Sequence, residues 1–110
     1  MNMYKFCFFV PESHLESVKS AVFEAGAGRI GHYDCCSWQI KGMGQFRALA
    51  GSQPYIGQQD SLEKVEEYRV EMVVEKIKIK AVMSAFLKAH PYEEPAFDVM
   101  ALVDVDALVL

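Results

Sequence analysis

The sequence predicts an α+β sandwich in which an antiparallel sheet carries two helices on one face. Two observations point there. Segments with apolar residues at alternate positions, as in strands, are separated by two segments whose apolar residues recur every three to four positions, as in helices facing a core. The middle strand segments are joined by turn residues alone, whereas a doubly wound parallel sheet needs a helix between successive strands.

Each element follows from its residues. Residues 4–10 alternate Tyr4, Phe6, Phe8 and Val10 against Lys5, Cys7 and Phe9, which reads as a central strand apolar on both faces. Ser13 followed by Glu16 fits a capping box, and Leu15, Val18, Val22 and Ala25 form the apolar stripe of the first helix. Gly26 ends it, as glycine does at the left-handed position after a helix. Residues 33–40 are expected as the second strand, with Cys36, Trp38 and Ile40 on one side and with Cys35 and Cys36 on opposite faces. Gly42-Met43-Gly44 reads as a turn and residues 45–49 as a short returning strand, so this pair is expected to form a hairpin.

Residues 50–60 carry turn residues throughout and form the longest loop. Residues 64–74 alternate Tyr68, Val70, Met72 and Val74 against Glu67, Arg69, Glu71 and Val73, giving a strand with one core face and one wet face. Ile79, Val82, Met83, Phe86 and Leu87 mark the second helix, which ends by His90 because Pro91 disfavours helical backbone in the residue before it. Residues 96–103 form the last strand, and residues 103–110 are a C-terminal tail. The order β-α-β-β-β-α-β, with the short third strand extending a hairpin, resolves into two β-α-β halves, the ferredoxin-like sandwich.

At 110 residues the chain is expected to be one domain over 1–110, with enough apolar content (52%) for a core without staples. A net charge of −4 argues against a nucleic-acid partner, since phosphate binding needs clustered basic surface. No apolar window reaches the roughly 20 residues of a membrane span, and the N-terminus does not read as a signal peptide. Cys7, Cys35 and Cys36 are odd in number and lack metal-ligand spacing, so a reducing, cytoplasmic setting is the expectation.

Two motifs bear on chemistry. Gly26-Ala27-Gly28-Arg29-Ile30-Gly31 spells the dinucleotide fingerprint, but it follows a helix and precedes a strand, so no helix N-terminus meets a phosphate. Its glycines are expected to shape a tight connection. His90-Pro91-Tyr92-Glu93-Glu94-Pro95 sets an imidazole and two adjacent carboxylates between prolines that stiffen the chain. Such a group suits a divalent cation, a cationic ligand or proton transfer, while its bland alternative is a helix-capping histidine with solvated glutamates. This segment is expected to face residues 42–46 or the loop at 51–57, and His14 is expected to face solvent.

Three strings together carry a family resemblance: Gly26-Ala27-Gly28-Arg29-Ile30-Gly31-His32-Tyr33, Gly42-Met43-Gly44-Gln45-Phe46, and Ala89-His90-Pro91-Tyr92-Glu93-Glu94-Pro95-Ala96-Phe97-Asp98. From about residue 3 to 102 the sequence resembles the stand-alone form of the domain inserted in some Nif-three-like proteins of the YqfO type, a domain related in fold to CutA and PII signalling proteins. The resemblance implies a CutA/PII-like, ferredoxin-like fold and trimeric association. It does not carry over the "GTP cyclohydrolase" label of some relatives, whose two-metal site lies in flanking halves. One departure is Asp34-Cys35-Cys36-Ser37-Trp38, where the family has a Tyr-Ser-x-Cys-Ser-Phe-like string, so Asp34 stands in place of a serine beside the expected cleft.

The functional expectation is a small oligomeric binding or regulatory module for a metal ion, a small ligand or a protein partner. Its candidate binding residues are His90, Tyr92, Glu93, Glu94, Asp34 and Cys36. The alternative is a metal-dependent, hydrolase-like enzyme in which His90, Glu93 and Glu94, with Cys35 or Cys36, hold a divalent ion. Self-association is expected because the sheet face away from the helices would carry Val65, Val73, Trp38 and Phe9, and exposed apolar area marks an interface; that the assembly is a homotrimer is what the resemblance to CutA and PII implies. Residues 105–110 are expected to add a strand to a neighbour's edge.

Overall fold

The computed structural model describes residues 2–108. Strands β1 (Met3–Pro11), β2 (Trp38–Arg47), β3 (Leu62–Glu75) and β4 (Phe97–Ala101) pair antiparallel in the order β2-β3-β1-β4. Helices α1 (Leu15–Glu24) and α2 (Ile79–Ala89) connect them in the sequence β-α-β-β-α-β. Single 3₁₀ turns, Glu12–His14 and Lys76–Lys78, lead into the two helices. Both helices press their apolar stripes on one sheet face: Val18, Val22, Val82 and Phe86 close over Phe6, Phe8, Val10, Val70, Met72 and Val74. Phe86 sits at the centre, with its ring centroid 5.1 Å from those of both Phe6 and Phe8. The ferredoxin-like α+β architecture is as the sequence predicts.

Three local expectations are corrected. Gly42-Met43-Gly44 is not a turn. Gly42 pairs with Glu67 and Gly44 with Val65 inside one continuous ten-residue strand, so there are four strands and not five. Glycines two apart fall on one face of a pleated strand, and the partner strand supplies the ladder that the glycines themselves favour weakly. The second strand begins at Trp38 and not at 33, because Ile30 and Tyr33 exchange backbone hydrogen bonds (3.0 and 2.9 Å) and fold residues 30–33 into a turn. Cys35 then takes φ +54°, so the two cysteines do not alternate across a strand. The capping box does not form either. The Ser13 hydroxyl pairs with His14 Nδ1 at 2.8 Å, Glu16 reaches Lys19 at 3.5 Å, and α1 starts without a side-chain cap.

The end of α1 is a Schellman motif: the Gly26 amide donates to Phe23 and the Ala27 amide to Val22, both at 3.0 Å, with Gly26 at φ +117°. Gly28, at φ +74°, then donates to the Val73 carbonyl (2.8 Å) and accepts from the Cys36 amide (2.8 Å). The dinucleotide-like string therefore stitches the α1–β2 connection to the sheet. At the other end of the chain, Val105–Ala107 is a 3₁₀ turn capped by the Asp104 carboxylate, which accepts from the Asp106 amide at 3.0 Å. It is not a strand, and residues 109 and 110 of the expected edge strand lie outside the described residues.

Strand β3 is longer than β1. Pro11, the last residue of β1, pairs with Glu67, while Leu62–Glu66 pair only with β2, so five rungs of the β2–β3 ribbon project past the sheet body. This arm makes the molecule 53 Å long against 26 and 24 Å in the other directions. The loop after it returns toward the body: the Gln53 amide donates to the Glu93 carboxylate at 3.1 Å, and the Tyr55 ring meets His14 edge-on at 5.7 Å. His14 is accordingly half-buried, not free in solvent.

Candidate functional site

The hollow enclosed by the arm, the returning loop and the segment after α2 has a volume of about 430 Å³, within the range of small-molecule sites. Strand alternation places Phe9, Phe46, Gly44, Val65 and Glu67 on one face, and all five line it. Gly44 contributes an absence: the Glu67 carboxylate occupies the space a side chain there would take. The loop brings Tyr55, and the post-helix segment brings Tyr92, Glu93 and Glu94. Arg47 is the cation among the lining residues.

Burial pushes the Glu67 carboxyl above its ordinary range, because the charged form loses hydration. Burial likewise raises the Tyr92 phenol, and the nearby Glu67 and Tyr55 raise it further. The Tyr92 hydroxyl is buried and has no hydrogen-bond partner among the described residues. Unsatisfied buried hydroxyls are uncommon, and this one is covered, so a ligand reaches it only if the Tyr92 side chain turns.

His90 holds the corner together and stays out of the cavity. It is 6% exposed. Its Nε2 lies 2.7 Å from the Phe9 carbonyl, which only accepts, so Nε2 carries the proton; the Tyr92 amide donates to Nδ1 at 3.1 Å. The imidazole is thus the neutral Nε2–H tautomer, tying the end of α2 to the end of β1 and fixing Tyr92 behind it. Burial lowers its pKa, opposed by the Phe9 bond and reinforced by His14.

The structure therefore divides the sequence candidates. Tyr92, Glu93 and Glu94 share one cavity, whereas His90 is a buried brace with both ring nitrogens occupied. A metal would have to break one of those bonds, so His90 does not fit the ligand role, and no three His, Cys, Asp or Glu among the described residues come together to hold an ion. Asp34 and Cys36 are not part of the cavity. Cys36 is tied through Gly28 to Val73, six residues along β3 from Glu67, a separation of about 20 Å at strand rise. Glu67 and Phe9 are the site residues that sequence reasoning missed, while Gly44 lies in the 42–46 segment expected to face the site but was read as part of a turn. Glu67 looks like one more polar residue on a wet strand face; the period-two spacing of Gly42 and Gly44 was the available sign of a strand face without side chains.

This fold is the one seen in CutA and PII-type proteins. CutA from Synechococcus elongatus superposes with a TM-score of 0.67 at 16% identity, over 93% of this chain and 78% of that one. GlnK of B. subtilis superposes at 0.56 and 16% identity. The likeness to one group of proteins is stronger. A Bacillus cereus protein related to NIF3 superposes with a TM-score of 0.81 at 39% identity over 94% of this chain and 26% of that one. The "GTP cyclohydrolase 1 type 2 homolog" of Mycobacterium tuberculosis is 50% identical over 102 residues, covering 93% of this chain, and that of Halalkalibacterium halodurans is 43% identical over 103. The chain thus shares the CutA/PII fold and resembles one segment of NIF3-related proteins, and it spans about a quarter of the length of the curated relatives it matches. No family model matches it.

Proposed function

We propose that the chain is a small-ligand binding module whose site is the cavity between the β2–β3 arm and the segment from Tyr92 to Glu94. The observation that carries this reading is the Tyr92 hydroxyl, buried without a partner in the wall of a hollow that also desolvates Glu67. A purely structural corner would satisfy that hydroxyl or leave it in water. The name borne by the relatives does not suit this cavity: three carboxylates against Arg47 oppose a triphosphate, which needs clustered cations. The reading is tested by thermal shift across a chemically diverse small-molecule library, with Gly44→Val as the filled-cavity control. A saturable shift in the wild type that Gly44→Val removes supports it; shifts that survive in Gly44→Val, or none in either protein, overturn it.

We further propose that the module is a homotrimer in a reducing, cytoplasmic setting. Association is supported by the sheet face opposite the helices, where Trp38, Ile40 and Met100 are 57%, 53% and 49% exposed. The unpaired state of Cys7, Cys35 and Cys36 supports the reducing setting. No described helix is long and apolar enough to cross a membrane.

A further inference from the structure

Resting on that cavity being a ligand site, we propose that its ligand is a small organic cation, an ammonium or guanidinium group carried on an apolar or aromatic body.

The charge inventory comes first. Glu67, Glu93 and Glu94 face a hollow whose cationic side chain is Arg47, an excess of negative charge in a recess partly shut off from water. The three are not equivalent. Glu93 already accepts the Gln53 amide, and Glu94 is exposed. Glu67 is half-buried, lies over Gly44 and forms no ion pair among the described residues, although its strand neighbours Glu66 and Glu71 pair with Lys41 and Arg69. A carboxylate dehydrated without a counter-charge gains most from a ligand that brings one.

The walls select the body of that ligand. Phe9, Phe46, Tyr55 and Tyr92 line the cavity together, with Tyr55 and Tyr92 centroids 6.2 Å apart. Aromatic faces beside a carboxylate attract organic cations through the ring quadrupole, and they give a bare hydrated metal ion nothing to pack against. An anion finds the opposite of what it needs.

The test uses four probes on the full chain, read by calorimetry and thermal shift: 2-phenylethylammonium, its neutral counterpart 2-phenylethanol, the anion 3-phenylpropionate, and Mn²⁺ alone. The expectation is saturable binding of the ammonium, at least about tenfold tighter than the alcohol, with none of the anion or of Mn²⁺. Glu67→Gln should weaken the ammonium about tenfold while leaving the alcohol unchanged and without lowering the melting temperature. Equal binding of ammonium and alcohol, preference for the carboxylate, or undiminished ammonium binding by Glu67→Gln overturns the cation proposal and leaves the cavity reading standing. Binding of all probes that survives Gly44→Val overturns both. Binding of Mn²⁺ alone, lost in Glu67→Gln, also overturns the proposal, because it makes the carboxylates a metal site.

Discussion

Replacing His90 by alanine perturbs the fold at one well-defined joint. The substitution strips two buried partners at once, the Phe9 carbonyl and the Tyr92 amide. A buried backbone group left unsatisfied costs about 1–3 kcal/mol; with water able to reach half-buried Tyr92, the low end applies, so the pair costs about 2 kcal/mol. The lost ring, which packs on Phe86 at 5.3 Å and on Tyr92 at 4.8 Å, adds roughly 1 kcal/mol as a partly collapsed void. The expected loss is about 3 kcal/mol, or a fall in melting temperature of about 12 °C for a chain of this size. The assay is chemical denaturation at fixed protein concentration, repeated with His90→Phe, which keeps the ring and should lose only the hydrogen-bond share. The wild type carries a pH signature as well. Because His90 takes up a proton more readily unfolded than folded, stability is present above the ordinary histidine pKa of 6.5 and is lost as pH falls below it toward the depressed folded value. His90→Ala should flatten that slope, although Glu67 keeps its own contribution. A loss under about 1 kcal/mol, or an unchanged slope between pH 7 and 5, refutes the assigned tautomer and its bracing role.

Three further outcomes are expected. Gly28→Ala should cost about 2–4 kcal/mol or prevent folding, since the new methyl lands 2.8 Å from the Phe23 ring and 2.9 Å from the Cys36 carbonyl at φ +74°; denaturation midpoints check it. Light scattering after gel filtration should give a mass near three times the 12.4 kDa chain at micromolar concentration, and Trp38→Glu should shift it toward the monomer while circular dichroism stays native. In a thiol titration, Cys35 should react fast and Cys36 more slowly, whereas Cys7, 1% exposed and raised in pKa by burial, should appear only after denaturation.

What could be read from the sequence was whatever depends on local period. The alternation of Phe6, Phe8 and Val10 and the spacing of Val82 and Phe86 set the core and the helix faces, and Gly26 and Pro91 ended the helices where expected. What could not be read depends on partners distant in the chain. Gly42 and Gly44 look like a turn until β3 pairs with them, and Ser13 and Glu16 look like a cap until His14 and Lys19 compete for their side chains. The His90–Glu94 string announced chemistry, but the histidine's partner is Phe9, 81 positions away, and no spacing rule reveals that its role is to brace. Glu67 is invisible for a related reason: nothing local marks it as the polar residue of its strand that the loop beyond the arm shuts from water.

The projecting ribbon gives the cavity an unusual division of ownership. Phe46 and Gly44 belong to rungs that only β2 and β3 share, while Phe9 and Tyr92 belong to the body that His90 locks. A two-stranded ribbon beyond its sheet is the most compliant part of such a fold. Any molecule seated between those walls is gripped by a lever on one side and its fulcrum on the other.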